Sequence, residues 1–137
     1  MILLYISIVI LWIGYSYLEG MREAIYYDMA SKMVTIPELH PLYVAQRSAV
    51  FISISVLLAV NIGLISALFI LFMVASFSPF HDSAYYITRN GLNPNVYPKS
   101  WRDDSTTSTA KFEIDFLGRK ILFVLSILLL IVFFVNI

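Results

Sequence analysis

The chain has 137 residues, 60% of them hydrophobic and only 13% charged, and its nine basic and nine acidic residues cancel to a net charge of zero. This composition excludes an ordinary soluble domain, and with neither a net field nor a basic stripe it gives no footing for nucleic acid. The absence of cysteine removes disulfides, thiolate metal sites and cysteine nucleophiles.

The pattern predicts an all-α integral membrane protein with three transmembrane helices. Residues 1 to 18 carry no charge and form the first span. They lack a basic leader and a small-residue cleavage pattern, so they read as a retained signal-anchor. Residues 19 to 47 are a polar connection, a helical extension of the first span until Pro37 and Pro41 break it. Tyr15, Glu19, Glu23 and Tyr27 recur every four residues along one side of that extension, with Arg22 in pairing reach of Glu19.

Residues 48 to 80 are again free of charge. As one helix they reach about 50 Å, whereas two halves of about 25 Å leave no residues for a turn; a single long, tilted or projecting helix is therefore predicted. Ser55, Ala59, Gly63 and Ala67 lie four apart on it, a smooth ridge for close approach of another helix, and Asn61 faces the other way near the expected bilayer centre. Residues 81 to 118 form a long irregular connection, rich in Pro, Asn and Gly, ending in an amphipathic segment. Its His81, Asp82, Tyr85, Tyr86 and Trp101 are candidates for a docking surface, with His81 also placed to complement a helix C-terminus. Residues 119 to 137 make the last span, uniformly large and apolar, an anchor against lipid.

Three crossings place the N-terminus and residues 81 to 118 on one side, and the first connection on the other. The larger count of Lys and Arg in the second connection assigns its side to the cytoplasm. The same topology sets His40 and His81 about 30 Å apart, so Glu19, Glu23 and His40 are the weak catalytic candidates on one face, and no metal site or cofactor is expected. None of the spans carries Asp, Glu, Lys or Arg, which speaks against a self-contained transporter. The economical reading is a structural or accessory subunit of a larger membrane assembly in a bacterial, organellar or viral membrane. Its partners would be the bilayer and other subunits, or a second copy bound through the middle span. The alternative is a membrane-embedded enzyme with a surface site of Glu19, Arg22, Glu23, His40 and Arg47, working with or without a metal.

Overall fold

The computed structural model describes residues 2 to 30, 40 to 95 and 114 to 137, with backbone only at His40, and among these every regular element is helical. Three stretches are long and apolar enough to cross a membrane, namely Ile2–Ala30, Pro41–Leu92 and Phe116–Asn136. The first is α1 (Ile2–Ala30) and the last is α4 (Phe116–Asn136), which starts where the Asp115 side chain accepts the Gly118 backbone N–H.

The middle stretch is not the single rod that its composition predicts. Arg47 Nη2 lies 3.1 Å from His81 Nε2, although a straight helix would set these residues about 50 Å apart. The chain folds back between α2 (His40–Ile62) and α3 (Ser66–Leu92) through a 3₁₀ turn, Gly63–Ile65. Gly63 has φ 58°, the left-handed conformation that ends a helix without a Cβ penalty. The Ser66 hydroxyl then donates to the Gly63 carbonyl at 2.5 Å. Three residues are thus enough for the reversal, and the two arms, residues 48 to 62 and 66 to 80, each rise about 22 Å.

Side-chain pairs give the helix directions. Tyr26 meets Tyr43 and Trp12 meets Phe51, so α2 runs antiparallel to α1. Trp12 also meets Phe77, and Tyr27 meets Tyr85, so α3 runs parallel to α1. The Phe80–Phe123 and Phe69–Phe133 pairs set α4 antiparallel to α3. Ala30, His40, Leu92 and Phe116 therefore share one end, and Ile2, Gly63 and Asn136 share the other. This overturns the expected topology, in which the two connections lie on opposite sides. Every charged side chain lies at the first end of a helix or in a connection that starts and finishes there. The molecule has a charged head and an uncharged foot.

The second connection also begins later than expected. α3 carries on through Pro79 and past His81 to Leu92, so His81 is not at a helix C-terminus. Pro79 removes one rung of the helix at the level where the uncharged arm ends. Residues 96 to 113, including Trp101 and most of the expected amphipathic segment, lie outside the described residues.

α1 and α3 form the central pair, and their seam is built from small residues. Ser16, Gly20 and Ala24, four apart on α1, are buried, as are Ser76 and Ala84 of α3, and Gly20 faces Ala84. A Cβ at Gly20 would lie 2.1 Å from the His81 carbonyl oxygen, so the two backbones are in contact there. Towards the foot the seam gives way to large side chains: Tyr5, Trp12, Leu58, Phe69, Met73 and Phe133 form one core, with Trp12 Nε1 donating to Ser76 Oγ at 3.1 Å. α4, expected to face only lipid, thus adds the fully buried Phe133.

The predicted ridge of small residues on the middle span does not survive as a ridge. Gly63 is the turn, Ala67 follows it on another helix, and Ala59, Gly63 and Ala67 are exposed, with Ser55 half-buried. Asn61 sits at the foot rather than mid-depth, donating to the Leu57 carbonyl at 2.7 Å.

The two glycines predict different behaviour. Nothing lies within 4 Å of a Cβ at Gly63, so Gly63→Ala meets only the backbone penalty of about 1–2 kcal/mol and Gly63→Asn a smaller one. Gly20→Ala must push two backbones apart, costing about 1–3 kcal/mol despite the better helix propensity of Ala. Denaturant unfolding in detergent checks both. An unchanged midpoint for Gly20→Ala would refute the seam.

Candidate functional site

The fold-back gathers at the head the polar side chains that the sequence reading had kept apart. α1 contributes Glu19, Arg22 and Glu23 from one face, α2 contributes Gln46 and Arg47, and α3 contributes Ser78, His81 and Asp82. Glu19 Oε1 accepts from Arg22 Nη2 at 2.7 Å and from Arg47 Nε at 3.1 Å. Arg22 Nη1 also donates to Gln46 at 2.8 Å, and its guanidinium lies 4.5 Å from the Tyr43 ring centroid. Glu23 Oε2 accepts from both Arg47 Nη2 and His81 Nε2, the latter at 2.9 Å.

His81 joins the two halves of this network. Its Nδ1 faces Asp82 Oδ1 at 2.9 Å, Asp82 in turn accepts from Ser78 Oγ, and the imidazole stacks on Phe77 with centroids 4.9 Å apart. Each ring nitrogen faces a carboxylate, so counting donors assigns an imidazolium that donates to both. The Arg47 Nη2 and His81 Nε2 atoms are then two donors sharing one acceptor. With that assignment Glu19, Glu23 and Asp82 balance Arg22, Arg47 and His81, and the network is neutral.

Burial makes the balance matter. Glu19 is 3% exposed, His81 7% and Glu23 8%, so an unpaired charge at any of them would lose water without compensation. Arg47 keeps about a fifth of its side chain exposed, which tempers the penalty at its end. The contacts leave Glu19 and Glu23 each engaged by two cations, a structural clamp across three helices rather than a set of free acids and bases.

The structure thus brings together four of the five residues of the predicted surface site, Glu19, Arg22, Glu23 and Arg47, and adds His81 and Asp82. The expectation that Glu19 and Glu23 could never meet His81 fails because it assumed one crossing between His40 and His81. The side chain of His40 lies outside the described residues. The docking candidates also change character. His81 is buried, Asp82 is occupied, and Tyr85 and Tyr86 are half-buried, Tyr85 against Tyr27 and Tyr86 beneath the Arg119 guanidinium at 4.9 Å. Among the described residues no three metal-capable side chains converge as ligands, and His81 lies between its two carboxylates rather than beside them. Gly63, one residue from the midpoint of residues 48 to 80, was the signal that would have revealed the cluster.

Coupling within the clamp is testable. Glu23→Met leaves Arg47 and His81 short of an acceptor and is expected to cost about 1–3 kcal/mol, with the lower part of the range set by the partial exposure of Arg47. Adding Arg47→Met removes the cation left with only Glu19 and should recover part of the loss. A double variant as unstable as the two single losses combined would show that the pair is not coupled.

No family model, curated protein or solved structure matches this chain.

Proposed function

We propose that the chain is a multi-pass membrane protein with its charged head on the cytoplasmic side, acting as a structural or accessory subunit of a larger membrane assembly. Membrane residence is supported by the surface. Leu3, Val60, Leu64 and Val135 are each at least 79% exposed, and the outward faces of the uncharged arms are predominantly apolar, a surface that water does not tolerate over this extent. The orientation follows from charge. All nine Lys and Arg belong to the head or to the connections that begin and end there, and none belongs to the foot. A contrast of nine to none is a much stronger positive-inside signal than the comparison of two connections.

The observation that carries the subunit reading is the state of α2. Within its uncharged arm only Leu58 is fully buried, while Ile52, Val56, Leu57, Ala59 and Val60 face outwards, and Ala45, Ala49 and Ser53 lie four apart on the exposed surface. A helix held so lightly, with small residues outside, suits close packing against a helix of another chain. The enzyme reading has less support, because Glu19, Arg22, Glu23 and Arg47 are engaged with one another and a substrate would have to break those pairs first.

Two experiments address the two parts. Because the chain has no cysteine, Leu64→Cys at the turn and Leu92→Cys at the head report topology directly. A membrane-impermeant maleimide should label Leu64→Cys in intact cells and Leu92→Cys only in inverted vesicles; the reverse pattern would invert the orientation. For the assembly, mild-detergent purification with mass spectrometry should recover a stoichiometric second chain or a homo-oligomer. Ala49→Phe with Ser53→Phe should release it, while Glu23→Met with Arg47→Met should not. A wild-type chain that purifies as a lone monomer would defeat the subunit reading.

A further inference from the structure

A second feature of the head lies away from the clamp. Tyr17 of α1, Phe80 and Ile87 of α3, and Phe123 and Val124 of α4 wall a groove of about 520 Å³, within the range of roughly 300–1,000 Å³ typical of small-ligand sites. On α1, Tyr17 stands about 200° round from Glu19, so the groove opens on another side of the helix from the ion-pair network. Its long walls are apolar, and Ser83 is a small side chain between them. Among the described residues its charged lining consists of Arg119 and Lys120, both near the start of α4.

The two cations are placed differently. The Arg119 guanidinium is buried, 4.9 Å from the Tyr86 ring centroid and 5.9 Å from that of Phe116. Lys120 is exposed, with Nζ 4.3 Å from the Phe116 ring centroid. Both lie at the level where the uncharged arms end, since Arg119 meets Tyr86 while Phe80, a turn and a half deeper on α3, meets Phe123. The groove therefore runs from a cationic mouth at headgroup depth into the apolar layer.

We propose that this groove holds one anionic phospholipid of the surrounding bilayer, its phosphate at the Lys120 and Arg119 mouth and an acyl chain along Phe80, Phe123 and Val124. Charge and depth select this occupant. A zwitterionic lipid would set its own cation near Lys120, and a soluble anion would leave the apolar walls uncovered. The proposal rests on membrane residence but not on the subunit reading.

The test is native mass spectrometry of the detergent-purified protein titrated with phosphatidylglycerol or with phosphatidylcholine of the same acyl chains. One phosphatidylglycerol should be retained, with roughly tenfold preference over phosphatidylcholine. Lys120→Glu should abolish the preference, and Val124→Trp, which fills the apolar wall from an exposed position, should abolish retention of either lipid. Circular dichroism and alkaline extraction from reconstituted vesicles check that both variants fold and insert. Equal retention of the two lipids by the wild type, or phosphatidylglycerol retention unchanged in either variant, would overturn the groove. A wild-type chain extracted by alkali would overturn membrane residence itself.

Discussion

The structure depends on a reversal at one residue. The long uncharged stretch turns at Gly63, where φ is 58°, and the ion-pair network of three helices is thereby gathered at one end. Were residues 48 to 80 straight, Arg47 would lie far from His81, Glu23 would lack its imidazole partner, and α3 could not lie parallel to α1. The turn is cheap because glycine adopts this conformation without strain and because the 3₁₀ geometry spends only Gly63–Ile65.

The clamp and the seam solve different problems on the same helix pair. At Gly20 the backbones of α1 and α3 touch, which brings the Glu23 carboxylate within hydrogen-bond distance of His81. A bulkier residue there would hold the helices apart and deprive the buried Glu23 of its His81 donor. The close approach is what makes the buried charges affordable, and the charges in turn fix the register of the seam. Dispersion between small residues is insensitive to sliding by one turn, whereas a displaced Glu23 would lose both Arg47 and His81. Close packing brings the helices together, and the ion pairs select one alignment.

Much of this was legible in sequence, and the exception has a single cause. Helicity, three stretches apolar enough to cross a membrane, and the pairing of Arg22 with Glu19 three residues before it all follow from local patterns. The turn was not legible, because a lone glycine in an apolar run reads equally as a packing residue, and length arithmetic that leaves no residues for a turn rejects one of three residues. From that one choice came the wrong topology, the separation of Glu23 from His81, and the small-residue ridge assigned to residues 55 to 67. The ridge principle was sound, but it belongs to Ser16, Gly20 and Ala24, where glutamates and an arginine interleave and mask the apolar signal. The global clue was that all eighteen charged residues fall in helix ends, or in connections between helix ends, that meet at one end of the molecule. It counts only when the two connections are read together.

The resulting polarity bears on depth as well as side. The uncharged arms are 15 to 18 residues long, so the apolar part of the molecule is about 22–27 Å thick, less than the roughly 30 Å of a typical hydrocarbon core. In a bilayer of that thickness, with the tyrosines at positions 26, 27, 43, 85 and 86 placing the head at the headgroup level, the foot would fall a few ångströms short of the opposite surface. A bilayer adapts to such a mismatch by thinning, at a cost that grows with the lipid perimeter of the isolated chain. Association through α2 would shorten that perimeter, and Asn61 and Asn136 at the foot, each bonded to a carbonyl of its own helix, would meet the thinned interface without an unpaired amide. Under the proposed membrane residence, thickness would favour association independently of any particular contact, and α2 is the helix that the fold leaves least covered.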